Sequence, residues 1–412
     1  MPSDGKEGVR ISPNGAAHST CPRFPPTTVV MIYLDHNAAS PLLPAARAAW
    51  LEAVDAFPGN PSSPHRLGAR ADTALEQARQ RLASHLGCSP FDLVWTSGAT
   101  ESCTTVLRHV AEHRPAATVC VSAIEHPAVI DCARAAFPGR VTLIPVDHSG
   151  SVDLPWLQSH LSLQRPALVA VMAANNETGV LQPWADVQRL AATHGVPYFC
   201  DATQWCGRLP SAGLGACDFV AGSAHKFGGP RGVGFLKVPR AGKLQPLLRG
   251  GSQQDGRRAG TENVAGVLAL LAALDWCEAQ LASGGAARRL AARSRFETEL
   301  VGAVAGLSVN APAADRLWNT VSVLMPAVAD CRQRWVVKLD KAGFAVSTGS
   351  ACASGSAEPS PVLTAMGLSA DAAGRALRFS AGWLTTDAEW AALRAAVVRI
   401  HAEWEPADRR LS

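Results

Sequence analysis

The sequence predicts an α/β fold, with a large domain built on a mostly parallel, seven-stranded sheet and a smaller α+β domain. Seven apolar runs of strand length recur along the chain, and amphipathic stretches of helical length alternate with them. Strands that are apolar throughout are typical of a sheet covered on both faces and joined by right-handed crossovers. Beyond residue 283 the strands become fewer and the helical patterns more frequent, which indicates the second domain.

The predicted strands of the large domain are residues 93–96, 118–122, 141–146, 167–173, 197–201, 218–221 and 233–238. Helical patterns at 66–86, 101–112, 128–137 and 183–194 lie before or between them. The apolar stretch 263–281 is the predicted closing connector, and the glycines at 284 and 285 interrupt the helical pattern after it. We therefore place the large domain at residues 46–282 and the small domain at 31–45 and 283–412.

The composition of the 412 residues excludes several classes of protein. With 47% hydrophobic and 17% charged residues, the chain is not intrinsically disordered. No uninterrupted apolar run reaches about 18 residues, so we expect no membrane-spanning segment. The net charge of +4 and the lack of Lys/Arg runs predict no nucleic-acid partner.

The N-terminal segment and the cysteines give an expectation for the compartment. Residues 1–30 lack apolar periodicity and a signal-peptide pattern, so we expect a flexible tail, or an over-long start with Met31 as the natural one. The eleven cysteines form no CxxC pair, and we expect no metal site. Scattered thiols without a secretory signal predict a reduced, cytoplasmic protein.

Polar clusters follow five of the predicted strands. They are residues 97–101, 125–126, 175–177, 201–204 and 223–226. Because ligands of open parallel sheets bind outside the carboxyl ends of the strands, these clusters predict one shared site.

Lys226 and Asp201 are the first candidates for chemistry at that site. Lys226 is one of six lysines and stands on a glycine-rich loop, where burial would lower the pKa of the amine and allow a Schiff base. Asp201 ends a buried strand, where a carboxylate needs a partner such as a protonated pyridine nitrogen. The alternatives are an exposed loop lysine and, for Asp201, a helix N-cap or a structural salt bridge.

A phosphate site is predicted where residues 97–100, Ser-Gly-Ala-Thr, join a strand to a helix. Small residues there let backbone N–H groups at the start of the helix face an anion. Ser223, His225 and Thr261 are further candidate donors. The alternative is a set of ordinary turns and helix N-caps.

Cys352 and Arg378 complete the candidates. Cys352 lies in a run of small residues, 347–356, that is expected to form a mobile loop, and a thiol there is accessible as a nucleophile. Arg378 stands on an alternating, strand-like stretch and would bind a substrate carboxylate through two parallel hydrogen bonds. The local pattern alone favours a surface cross-strand pair for Arg378, and an inert core thiol is the alternative for Cys352.

Taken together, these motifs resemble those of the cysteine desulfurases, in the class V aminotransferase group of fold-type I enzymes that depend on pyridoxal 5'-phosphate (PLP). The resemblance runs from Tyr33 to about Glu403, in family order and spacing. Its most specific parts are residues 97–102, 175–179, 201–204, 223–226, 260–263, and 350–354 followed by 358–360. It implies a fold-type I PLP-dependent transferase.

The resemblance implies PLP as the cofactor and assigns residues to it. Lys226 would bind it covalently, Asp201 would pair with its pyridine nitrogen, and Gln204 would hydrogen-bond its phenolic oxygen. His126 would lie over the ring and assist proton transfer. The phosphate would be held by Ala99, Thr100, Ser223 and His225, with Thr261 supplied by the other subunit of a homodimer.

The resemblance also implies the reaction. Asn176 and Arg378 would hold the carboxylate of L-cysteine, and Cys352 would take the sulfur as a persulfide, leaving L-alanine. The persulfide would pass to an acceptor protein for iron–sulfur assembly or another thiolation, as in the family branch with the longer loop. The alternatives are a selenocysteine lyase, another class V PLP enzyme, or an inactive scaffold.

The chain departs from the family pattern at several positions. Residues 35–40 read Asp-His-Asn-Ala-Ala-Ser where the family has a final Thr pair, and residues 253–258 are a variant of an Arg-containing loop. Cys103-Thr104 and Trp205-Cys206 replace more usual polar or small residues. These departures suggest a specialised paralogue. Cys103 and Cys206 lie beside the cofactor motifs in sequence, and packing is the alternative for both.

Overall fold

The structure is a computed structural model that describes residues 31–239, 244–328, 331–349 and 359–408. The predicted tail, residues 1–30, and the predicted nucleophile Cys352 lie outside the described residues.

Twelve strands and twelve α-helices occur in the described ranges. The strands are β1 (Ile32–Tyr33), β2 (Leu93–Thr96), β3 (Val119–Ser122), β4 (Val141–Ile144), β5 (Val169–Ala170), β6 (Tyr198–Asp201), β7 (Phe219–Ser223), β8 (Gly234–Lys237), β9 (Ser308–Val309), β10 (Thr320–Leu324), β11 (Phe344–Ala345) and β12 (Ala376–Ser380). The helices are α1 (Pro44–Ala56), α2 (Arg66–Leu86), α3 (Ala99–His113), α4 (Pro127–Ala136), α5 (Leu154–Leu163), α6 (Trp184–Thr193), α7 (Val264–Ala282), α8 (Gly285–Ala303), α9 (Cys331–Lys341), α10 (Pro361–Ala365), α11 (Ala370–Ala373) and α12 (Asp387–Asp408).

The central sheet has seven strands, in the order β2-β8-β7-β6-β5-β3-β4. Strand β8 is antiparallel to its neighbours β2 and β7, and the other pairs are parallel. The six strands other than β8 therefore point the same way, and their carboxyl ends meet at one edge. The predicted α/β class with a mostly parallel sheet is confirmed.

Both faces of the central sheet are buried, as the apolar strands predict. Side chains alternate along each strand, so that Tyr198 and Cys200 enter one core while Phe199 enters the other. The first core also contains side chains from α1, α2, α5, α6 and α7, and the second contains side chains from α3 and α4. This arrangement fixes the strand ends that carry the polar loops.

The element bounds agree with the predicted ones to within a few residues. Helix α2 has the predicted bounds, because the His65 ring caps the backbone N–H of Gly68 at its start and Gly87, with φ of 75°, ends it. Strand β5 is shorter than the predicted 167–173, although Val171 and Ala173 continue to donate hydrogen bonds to the neighbouring strand. Helix α5 is an addition to the predicted patterns.

A third core, separate from the two that cover the central sheet, surrounds two small sheets. Strands β12, β10 and β9 form an antiparallel sheet, and β1 pairs with β11. Helices α8, α9 and α12 cover this core with apolar side chains such as Phe296, Trp335 and Trp390. Trp318 and Trp383, although they follow residue 283, pack in the core of the central sheet. The division at residue 283 therefore stays a proposal.

One edge of the central sheet, strand β2, is covered by a side chain. The amide of Gln254 accepts a hydrogen bond from the Trp95 N–H (2.6 Å) and donates one to the Trp95 carbonyl (2.9 Å). Gln254 is held for this purpose in a left-handed conformation, with φ of 52°, that non-glycine residues seldom adopt. The loop 253–256 is thereby fixed to the sheet.

Helix α7 is, among the described residues, the one helix that is long and apolar enough to cross a membrane by length and composition alone. Half of this stretch is buried inside the protein, and its side chains belong to the core of the central sheet. The closing connector predicted at 263–281 is therefore a core helix.

A substitution at Gly222 tests the packing of the sheet. An added Cβ would lie 2.3 Å from the Phe235 ring on the adjacent strand. We expect Gly222→Ala to lower the free energy of unfolding by about 1–3 kcal/mol. The control is Gly302→Ala in the exposed last turn of α8, where a Cβ meets nothing within 4 Å and no loss is expected. Urea or thermal unfolding of both variants measures this, and equal stabilities would contradict the packing.

Candidate active site

A cavity of about 430 Å³ lies at the carboxyl ends of the parallel strands. It is lined by residues from all five predicted polar clusters, including Thr100, His126, Asn176, Asp201 and Lys226. The prediction that these loops form one site is therefore confirmed.

One end of the cavity combines a helix N-terminus with hydroxyl and imidazole groups, a combination that suits an anion. Gly98 has a φ of 152° and a Cβ there would lie 3.3 Å from the Ser223 hydroxyl, so a glycine keeps this corner open. Helix α3 begins at Ala99, and backbone N–H groups of its first turn lack partners within the helix. The hydroxyl of Ser223 is hydrogen-bonded to the His225 ring (2.9 Å) at the same end. Ala99, Thr100, Ser223 and His225 thus line one corner, as predicted.

The floor of the cavity is polar and partly unsatisfied. Asp201 ends β6, is 7% exposed, and accepts a hydrogen bond from the Thr203 N–H (2.9 Å). The Thr203 hydroxyl and the Oε1 atom of Gln204 are buried and have no partner among the described residues. Gln204 donates its amide to the Asn37 carbonyl (3.0 Å). A buried carboxylate beside polar atoms without partners fits a polar aromatic ligand that carries a protonated nitrogen.

Lys226 stands where the loop after β7 turns, and it is not the exposed lysine of the alternative interpretation. Its Nζ donates to the carbonyls of Asn37 and Ala38, both at 2.9 Å. Burial, and then the charges of Arg208 and Arg378, lower the pKa of Lys226 to about 8. About a tenth of this amine is therefore unprotonated at pH 7, far more than for an ordinary lysine.

His126 forms the start of α4 and lines the cavity. Its Nδ1 accepts a hydrogen bond from the Ala128 N–H (3.1 Å), so the neutral ring carries its proton on Nε2. Burial lowers the pKa of His126, and nearby Lys226 lowers it further against the opposing effect of Asp201. The ring is thus held in one tautomer.

A groove of about 770 Å³ adjoins the cavity. The two share Ala38, His126, Asn176 and Lys226, so the amine and the imidazole stand where one opens into the other. Arg378 lines the groove.

Arg378 is buried, with 1% exposure, and the surface cross-strand interpretation of this residue is wrong. Its Nη1 donates to the carbonyls of Asn176 and Gly349, both at 2.7 Å, and its Nη2 donates to the Asp35 carboxylate at 2.6 Å. Its Nε is buried without a partner in the described part of the chain. The guanidinium is therefore fixed in place while one donor remains unused.

The predicted residue Thr261 does not line this cavity, and Cys352 cannot be placed relative to it. Thr261 is exposed. Cys352 lies outside the described residues, but both flanks of its segment are fixed near Arg378. The Gly349 carbonyl accepts from Arg378, and the Ser360 hydroxyl donates to the Glu177 carboxylate (2.6 Å).

Cys103 and Cys206 are core residues. Both are completely buried, and they lie in the apolar clusters on opposite faces of the central sheet. Burial raises the pKa of each thiol, which suppresses the reactive thiolate. The packing interpretation of both cysteines is confirmed.

Two residues of the site, Asn37 in the 35–40 motif and Glu125 in the predicted cluster 125–126, were given no role by the sequence analysis. Asn37 is 1% exposed and forms hydrogen bonds to the small antiparallel sheet and to a loop of the central sheet. Its position inside the 35–40 motif was the signal that could have identified it. Glu125 is buried beside the cavity and accepts a hydrogen bond from the Met172 N–H. Burial, and then the charge of Asp201, raise the pKa of Glu125 well above its usual value, so the uncharged form is favoured.

Comparison with known proteins agrees with this geometry. The family model for class-V aminotransferases matches residues 32–393. A cysteine desulfurase of Klebsiella pneumoniae is 39% identical over 87% of this chain and 89% of its own length. A cysteine desulfurase of Cereibacter sphaeroides is 40% identical over 87% of this chain and 92% of its own length.

Solved structures are similar over the same region. A NifS-like protein superposes with a TM-score of 0.82, at 31% identity, over 90% of this chain and 99% of that protein. SspA in complex with cysteine superposes with a TM-score of 0.72, at 28% identity, over 86% of this chain and 99% of SspA. The chain therefore belongs to the class-V aminotransferase family and, within that family, to the cysteine desulfurases.

Proposed function

We propose that this cysteine desulfurase binds PLP in the cavity of about 430 Å³ and transfers the sulfur of L-cysteine to its own Cys352. One observation carries the proposal. The cavity with Asp201 and the groove with Arg378 meet at Lys226 and His126, so a cofactor on one side and an amino acid on the other would face the same amine and imidazole.

The residues of the cavity fit PLP end to end. Asp201 would face the pyridine nitrogen, Gln204 the phenolic oxygen, and the corner formed by Thr100, Ser223 and His225 the phosphate. Bound there, PLP supplies an electron sink for negative charge at the Cα atom of an attached amino acid. The buried carboxylate of Asp201 would keep the pyridine nitrogen protonated, which that chemistry requires.

Substrate would be held from the groove side. Arg378 lines the groove and would bind the carboxylate of L-cysteine through its guanidinium, and Asn176 lines both the cavity and the groove beside it. Asp35 fixes the guanidinium from the other side. SspA, a solved relative, is known in complex with cysteine, which supports the same substrate here.

Two groups would move protons. Lys226, with its lowered pKa, would be free to take the Cα proton at its Nζ, because its amine is not fully charged near neutral pH. His126 would donate or accept at Nε2, since its Nδ1 is occupied by the Ala128 N–H.

Sulfur transfer needs a thiolate, and Cys352 is the candidate. Attack of its sulfur on the sulfur of L-cysteine would form an S–S bond and break the C–S bond. The electron pair of the C–S bond would stay with the substrate, whose Cβ atom would then gain a proton, leaving a persulfide on Cys352 and L-alanine. The anchored flanks at Gly349 and Ser360 support this assignment, because both lie beside residues that line the groove. The persulfide would then pass to an acceptor protein of iron–sulfur assembly or another thiolation.

We also propose a homodimer in the cytoplasm. Thr261 is exposed and does not line the cavity of its own subunit. This supports a contribution of Thr261 to the phosphate corner of a second subunit. The nine described cysteines are all free thiols, which supports a reducing compartment.

Replacement of Lys226 tests the cofactor site. We expect Lys226→Ala to abolish the visible absorption of covalently bound cofactor and to lower alanine formation by about 10³-fold or more, since nucleophile and base are lost together. Absorption spectra and alanine assays measure this. The control is Lys338→Ala on the exposed face of α9, which should change neither. Reduction with borohydride that fixes the cofactor to another lysine would contradict the assignment.

Replacement of Cys352 tests the sulfur acceptor. Cys352→Ser should keep the cofactor spectrum and its change on addition of cysteine, while alanine and sulfide formation fall to background, because a hydroxyl cannot hold a persulfide. The matched control is Cys132→Ser, a partly exposed thiol, which should retain activity. Mass spectrometry of the cysteine-treated wild type that puts the extra sulfur on Cys103 or Cys206 would contradict the proposal.

A subunit-mixing experiment tests the composite site. Light scattering should show a dimer, and Thr261→Ala should weaken PLP binding by about tenfold through loss of a hydrogen bond to a charged group. At a PLP concentration that leaves the Thr261→Ala dimer mostly without cofactor, mixed dimers of the Thr261→Ala and Lys226→Ala chains should regain one intact site and about half of the wild-type activity. A fully active monomer, or mixed dimers no more active than the parents, would overturn the arrangement.

A further inference from the structure

Arg208 is a second buried cation close to Lys226. Its side chain is 3% exposed, and its guanidinium donates to the carbonyls of Gln204 (3.1 Å) and His36 (3.2 Å). No carboxylate of the described residues forms an ion pair with it. A buried arginine is ordinarily paired, because desolvation of a lone charge is unfavourable.

The two cations are held on one short piece of backbone. Consecutive carbonyls accept from both side chains: His36 accepts from Arg208, whereas Asn37 and Ala38 accept from Lys226. Arg208 and Lys226 also line the same cavity of about 230 Å³. The positive charge of Arg208 therefore disfavours the protonated form of the Lys226 amine.

We propose that Arg208 is a positioning residue for Lys226, a buried cation that favours the unprotonated form of the neighbouring amine so that it can act as nucleophile and base. The role assigned to Lys226 rests on the proposed function. The electrostatic relation between the two side chains does not depend on it.

Among the charges around Lys226, that of Arg208 lowers the pKa of the amine the most. Arg378 also lowers the pKa of Lys226, but its Nη2 is paired with Asp35, whose charge acts in the opposite sense, as does that of Asp201. The imidazoles of His225 and His36 do not oppose the effect of Arg208, because their lowered pKa values favour the uncharged ring. Burial, followed by the charge of Lys226 and then those of Arg231 and Arg208, lowers the pKa of His225 to about 4. Burial followed by the charge of Arg208 does the same for His36.

Arg208 itself remains charged. Burial lowers its pKa to about 10, which is still well above neutral pH, so its positive charge is present across the range in which Lys226 titrates. Removal of a positive neighbour favours the protonated amine, and the pKa of Lys226 must then rise. Each unit of rise leaves about tenfold less neutral amine at a fixed pH below it.

The test is a titration of Lys226 in the full-length chain after removal of the cofactor. With only six lysines in the sequence, carbon NMR of chains labelled at the lysine Cε carbon resolves each amine, and Lys226→Ala assigns the signal. The wild type should titrate near 8. Arg208→Gln should raise this pKa by at least about one unit, whereas Arg208→Lys, which keeps the charge, should leave it within about 0.3 units. In the enzyme with bound PLP, the pH at which the visible absorption changes should also rise in Arg208→Gln and stay near the wild-type value in Arg208→Lys.

Two controls separate charge from packing. Arg189→Gln, on the exposed surface of α6, should not change the titration. If Arg208→Gln does not fold, Arg208→Met keeps the aliphatic stem and should give the same rise. Equal shifts in the Gln and Lys variants, no shift in either, or a wild-type pKa above about 10 would overturn the inference. A low pKa in a chain that makes no alanine from cysteine would instead overturn the proposed function.

Discussion

The site depends on the buried polar side chain of Asn37. Every polar group of this residue is used: its backbone N–H, its amide and its carbonyl bond to Ser380, Asn176, Thr320, Asn319, Gln204 and Lys226. Three of these partners belong to the small antiparallel sheet or its approach, and three belong to loops at the edge of the central sheet. Asn37 thus holds the small antiparallel sheet against the edge of the central sheet, and thereby holds the groove beside the cavity. Because Asn37 and most of its partners are buried, loss of one of these groups would leave polar atoms unsatisfied, which is why such networks specify a single arrangement.

Burial controls the charge of the site. Lys226, His36 and His225 have pKa values lowered chiefly by desolvation, and that of Glu125 is raised by the same effect. Groups that titrate near neutral pH are therefore shifted toward their uncharged forms, whereas the arginines keep their charge. A site with these properties binds anionic groups of a ligand and still retains an amine and an imidazole that exchange protons.

The sequence predicted what local pattern determines. Alternation of apolar strands and amphipathic helices predicted the sheet, and the rule for carboxyl ends predicted that loops as distant as 97–101 and 223–226 meet. It did not predict Asn37, because its partners lie between 139 and 343 residues away and neither end of such a contact has a distinctive residue type. It also assigned Arg378 to the surface on local pattern, since burial of a strand arginine depends on what packs over it: here Asp35 and the carbonyls of Asn176 and Gly349.

The amide of Gln254 on strand β2 has a consequence beyond the fold. An uncovered edge strand offers unpaired backbone groups to any other extended chain, and such edges begin intermolecular aggregation. Because Gln254 occupies both the N–H and the carbonyl of Trp95, the middle of this edge cannot accept a further strand. The strained backbone of this loop thus contributes to solubility: a chain with a shorter side chain at this position would expose a strand edge to its neighbours during synthesis and at high concentration.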